Sequence, residues 1–159
     1  MEALSEVLPA YELIEEPYRV LEEEGYEFSD PPSVEDYERQ LRRSIESLAA
    51  APTDVLLDRC PLDFVAYLQP VDDDFDLAGW MDDLREGIAS LDLIVFVPVE
   101  QYDRIALPAH EDRQLRRRVA ELLRSLVLDD IHGFGATSIE VIGNVDARMR
   151  QVVHAMQRS

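Results

Sequence analysis

A chain of 159 residues with 47% hydrophobic and 31% charged residues has the length and composition of one globular domain with its own core, not of a disordered segment. A net charge of -19 and a pI near 4.3 argue against duplex nucleic acid or an anionic membrane surface as partners. No apolar run approaches the ~18–20 residues of a membrane span, and the single cysteine, Cys60, excludes an internal disulfide and fits a reducing cytoplasm.

Taken in chain order, Met1–Leu8 has helical character, Pro9 ends it, and Tyr11 to Glu15 reads as a short strand. Glu16-Pro17 turns into a helical stretch from Tyr18 to Glu24, closed by Gly25. Ser33, with Asp36 three residues on, is a capping-box variant. Val34, Tyr37, Leu41, Ile45 and Leu48 then recur at helical spacing, predicting a long amphipathic helix to about Ala50. Thr53 to Leu57 is a compact apolar strand ending in Asp58-Arg59, and Pro61 suits the first turn of a short helix through Tyr67. An acidic loop (Asp72, Asp73, Asp74, Asp76) precedes a helix from about Leu77 to Ala89. Leu91 to Val97 is the strongest strand, stopped by Pro98; Glu111 to Leu128 is a second long helix, and Ser138 to Ile142 a last strand before a helix from about Val145 to Gln157.

Apolar strands spaced by helices predict an α/β protein, one domain over 1–159, built on a mainly parallel sheet covered on both faces. Ligands of such sheets bind outside the carboxyl ends of the strands. Charged residues gather at those ends here: Glu15 and Glu16, Asp58 and Arg59, and the residues after Val97.

With Glu15-Glu16-Pro17, Asp58-Arg59-Cys60-Pro61-Leu62-Asp63 and His110-Glu111-Asp112-Arg113 in that order, nearly the whole chain resembles the kinase-like branch of the P-loop NTPases. More narrowly, it is similar to small bacterial AAA-type ATP-binding domains related to nicotinamide riboside kinase and deoxynucleoside kinases. The resemblance implies a three-layer α/β sandwich and ATP-dependent phosphoryl transfer, or ATP hydrolysis, on a small nucleoside- or nucleotide-like substrate, with Mg²⁺. Asp58 would help hold Mg²⁺, Glu16 would act as base on an acceptor hydroxyl, and Arg59, Arg113, Arg116 and Arg117 would stabilise phosphate charge. Asn144, Asp146 and Arg148 follow the last strand, where related proteins hold the adenine ring.

The machinery of that family turns on a G-x-x-x-x-G-K-[ST] loop. All 15 Lys+Arg positions here are arginine, and Gly25, Gly79, Gly87, Gly133, Gly135 and Gly143 never fall at that spacing. By the resemblance, Met1–Leu8 corresponds to the back half of the helix after the loop, and the strand before the loop would lie centrally, between those ending at Leu57 and Val97. A gene start placed too late, a shortened chain or a degenerate family member would each account for this. The expected consequences are an inactive chain as written, or a non-catalytic module that dimerises or binds a partner through unpaired strand edges.

Each candidate has a plainer reading. Asp58 is equally a helix cap or an ion-pair partner of Arg59, Glu16 an acidic helix start, Asn144 an ordinary cap, and the arginine cluster a salt-bridged helix face. The acidic loop lacks the glycine and terminal Glu of an EF-hand. His110, His132 and His154 show no metal-ligand spacing, and Trp80, Phe75 and the tyrosines read as packing.

Overall fold

A computed structural model describes residues 1–98 and 113–158. The His110-Glu111-Asp112 segment and the predicted start of the second long helix lie outside the described residues. The chain divides into two compact units, Met1–Leu91 and Asp92–Ser159.

The first unit runs α1 (Glu2–Val7), β1 (Glu12–Ile14), α2 (Pro17–Glu23), α3 (Val34–Ala50), β2 (Val55–Leu57), α4 (Pro61–Val71), a 3-10 turn (Leu77–Trp80) and α5 (Met81–Ala89). β1 and β2 pair in parallel, Leu13 opposite Leu56, and the ladder extends to Glu12 N–H donating to the Asp54 carbonyl (2.9 Å) and Asp58 N–H to that of Ile14 (3.0 Å). The core lies among α3, α4 and α5, where Leu41, Phe64, Val65, Leu68, Leu84 and Ile88 are buried. A Cβ at Gly87 would come within 3.3 Å of Leu48 Cδ1, so the glycine lets α5 approach α3 closely.

α3 starts as its sequence dictates, and its cap is wider than a capping box. The buried Asp36 carboxylate (1% exposed) accepts from the Tyr26 hydroxyl (2.7 Å), the Ser29 N–H (3.2 Å), the Ser33 N–H (2.7 Å) and the Ser33 hydroxyl (2.8 Å). Burial, the largest single influence, pushes its carboxyl up; the donors of Ser33, Tyr26 and Ser29 overcome this and hold it at about 2. One carboxylate thus ties the 26–33 segment to the start of α3.

α4 runs past Tyr67 to Val71, with Pro70 inside it. Proline disfavours helix at the residue before it, but Leu68 is fully buried in the helical core, and that burial carries the helix on. The helix predicted from Leu77 instead opens with the 3-10 turn, where Asp76 accepts from Ala78 N–H (3.1 Å), and becomes α-helical only at Met81.

The second unit holds β3 (Ile94–Phe96), α6 (Arg113–Val127), β4 (Ser138–Glu140) and α7 (Val145–Met156). β3 and β4 also pair in parallel, Val95 opposite Ile139. Ile94, Phe96, Val119, Leu126, Val141 and Val152 are its buried residues of note.

The protein is therefore mixed α/β with short parallel strands at the four predicted places. The expected three-layer sandwich around one sheet is not what forms. The strands make two separate two-stranded sheets, and among the described residues no strand joins β2 to β3, so there is no continuous central sheet for helix layers to enclose. No helix among the described residues is long and apolar enough to cross a membrane.

Candidate functional site

The carboxyl ends of β1 and β2 lie side by side because the strands are parallel, and each runs directly into a helix with proline in its first turn, Pro17 and Pro61. Glu16 and Arg59, 43 residues apart in sequence, meet there: Arg59 Nε donates to Glu16 Oε2 at 3.1 Å. The other carboxylate oxygen lies 3.8 Å from Arg19 Nε. Arg59 sits at φ 68°, a left-handed conformation that a side chain of its size adopts only when its surroundings hold it there.

Those surroundings are legible in its ionisation. Burial, the largest influence, lowers the Arg59 guanidinium, but Asp63, Tyr67 and Glu16 outweigh it and hold the group above its ordinary value. Asp63 also accepts the Cys60 N–H at 3.0 Å, closing the first turn of α4. Burial first, then the neighbouring Asp63, pushes the Cys60 thiol up, so it stays protonated and is a poor nucleophile. Tyr67 stacks on Tyr37 of α3, ring centroids 5.0 Å apart at 12°. A short wall of Asp63, Tyr67 and Tyr37 thus backs Arg59.

Asp58 lies at the end of β2, its N–H held by the ladder and its side chain half-buried. The ion pair with Arg59 that the sequence allows does not form, since Arg59 turns to Glu16, and the Asp58 carboxylate has no hydrogen bond or ion pair among the described residues. No group of three or more His, Cys, Asp or Glu side chains able to hold a metal ion occurs among the described residues. Glu15, the competing carboxylate, is exposed.

The other predicted site residues belong to the second unit. Arg113 is exposed at the first described turn of α6, and Arg117 donates from Nε to Glu121 at 2.8 Å, the i,i+4 pair of a solvated face. Asn144 caps α7, its Oδ1 accepting from Ala147 N–H at 3.0 Å, with Asp146 in the first turn and Arg148 half-buried one turn on.

Sequence reasoning passed over Asp63, Tyr67 and Tyr37 as actors beside Arg59. A usable signal existed: Asp63 and Tyr67 are four residues apart on α4, hence on one face, one turn and two turns after Arg59. Comparison with protein-family models, with curated proteins and with solved structures gives no match.

Proposed function

We propose that this chain is a phosphoryl-transfer domain of the P-loop kinase type by descent, a relative of small ATP-dependent nucleoside kinases whose phosphate loop these 159 residues do not contain. The observation that carries this reading is the contact between Glu16 and Arg59 at the carboxyl ends of two parallel strands, with Asp58, whose carboxylate has no partner among the described residues, adjacent to Arg59 in the chain. A general base, a phosphate-binding cation and a metal-binding carboxylate are the three side chains such a reaction asks of this end of a sheet.

In this reading Arg59 orients a phosphate, Glu16 takes the proton of an acceptor hydroxyl, and Asp58 holds Mg²⁺ together with the nucleotide's phosphates. The ion, when bound, neutralises charge on the transferring group. Arg113 and Arg117 would close over the phosphates, and Asn144, Asp146 and Arg148 would line the base. Turnover by these residues alone is expected to be absent, since each preorganised donor that is lost costs about 3–4 kcal/mol of barrier. The expected result of a Mg-ATP titration is weak, millimolar binding that Asp58→Asn removes. ATP hydrolysis above background, abolished by Asp58→Asn, would overturn the inactivity. No binding at all would count against the nucleotide reading and for the second one.

That second reading is a non-catalytic interaction module. It is favoured by the outer edges of β2 and β3, which have no partner strand among the described residues, and by Val97, 50% exposed just past β3. An unpaired edge is a template for a second copy, so size-exclusion chromatography with light scattering should show a dimer. A soluble monomer at tens of micromolar sinks this reading.

A further inference from the structure

We infer that Glu16 is a built-in competitor at Arg59: its carboxylate occupies the guanidinium as a latch that an incoming phosphoryl group displaces. This deepens the proposed function and rests on its assignment of Arg59 to phosphate. The two side chains come from separate strand-to-helix turns and meet at 3.1 Å with 40% and 27% of their surfaces exposed. An ion pair this open to water contributes little. It also uses Arg59 at a single nitrogen, Nε, whereas a phosphoryl group can take the fork of a guanidinium at two points with more charge. Asp63 and Tyr67 stand beside the guanidinium as well as Glu16, so Arg59 keeps neighbours that favour its charge when Glu16 is exchanged. It also leaves Glu16 near a neighbour, since Arg19 Nε already lies 3.8 Å from its other oxygen. Released from Arg59, Glu16 becomes a more available base at the moment the phosphoryl group arrives. In its absence the base and the cation neutralise each other.

The test uses the whole chain and inorganic pyrophosphate, at about 0.15 M salt so that the field of this acidic protein is screened. Binding is measured in every variant by isothermal titration calorimetry, and in those that keep Arg59 the NMR signal of its Nε–H, the group now bonded to Glu16, reports the exchange. Glu16→Gln removes the competitor and should tighten pyrophosphate binding about fivefold, the upper end of what an exposed ion pair withholds. Glu15→Gln removes the same charge from the exposed neighbouring residue without touching Arg59 and should change affinity less than about twofold. Arg59→Gln should abolish the binding.

Equal tightening by Glu15→Gln and Glu16→Gln would reduce the effect to net charge and overturn the latch. So would an unchanged or weaker Glu16→Gln, pyrophosphate binding that survives Arg59→Gln, or no binding to any variant. These outcomes are separable from the kinase reading, because pyrophosphate needs neither Mg²⁺ nor a nucleotide. A latch without Mg-ATP binding would leave a bare phosphate site, and Mg-ATP binding that Glu16→Gln does not tighten would leave a nucleotide site without a latch.

Discussion

Replacing Phe64 by Ala is expected to destabilise the first unit by about 3–5 kcal/mol, the usual range for deleting a fully buried aromatic side chain. Phe64 is the largest of the fully buried side chains, 2% exposed, on the α4 helix that packs against both α3 and α5. The cavity would open where α4 packs against α3 and α5. Because small domains hold only ~5–15 kcal/mol in total, the loss is a large share of stability. Urea unfolding followed by far-UV circular dichroism measures it directly. A loss below about 1 kcal/mol would mean that the α3–α4–α5 core is not the centre of this unit.

The second large effect belongs to Asp36. Asp36→Asn replaces a carboxylate whose Oδ2 accepts from the Ser29 and Ser33 N–H groups and the Ser33 hydroxyl, and whose Oδ1 accepts from the Tyr26 hydroxyl, with an amide that has a single acceptor oxygen. Hydrogen bonds to a charged group plus the helix cap together make a loss of about 2–4 kcal/mol at neutral pH. The pH dependence follows from the direction of the shift. The folded carboxyl is depressed, to about 2 from an ordinary 3.8, so its contribution is fully present above the unfolded value and is lost as pH falls through the folded one. The gap in stability between the parent chain and Asp36→Asn should therefore stay constant from pH 7 to about 5 and shrink between about 4 and 2. A gap unchanged at the acid end would show that the effect is steric and not ionic. The Tyr26 hydroxyl, raised chiefly by its hydrogen bond to Asp36, should in turn titrate closer to its ordinary value in the variant.

Residue patterns gave the local structure with little help from the fold. Period, caps and prolines located the helices: Ser33 with Asp36 starts α3, Pro17 and Pro61 start α2 and α4, and Asn144 starts α7. Apolar runs located β2 and β3, whereas β1 (Glu12–Ile14) and β4 (Ser138–Glu140) carry an exposed glutamate each and were marked instead by short apolar stretches between helices and turn residues. The same logic pointed to the strand ends as the place for charge, and Glu16, Asp58 and Arg59 are there. What the chain could not announce by itself is which partner each group takes. Sequence proximity favours Asp58 with Arg59, yet the parallel register of β1 and β2 sets Arg59 beside Glu16 from 43 residues away and leaves Asp58 without an ion pair among the described residues. The stacking of Tyr37 on Tyr67 is likewise set between elements distant in sequence, whereas the four-donor cradle of Asp36 is built within ten residues, of which the capping pattern announces only the Ser33 part. Strand pairing was the largest departure. Alternating strands and helices imply a parallel sheet, but not how many strands share it, since each ladder depends on a neighbour supplied from elsewhere in the chain. Local propensity acts over a few residues and is written in them; partner choice is settled by which surfaces the packed helices bring within hydrogen-bond reach.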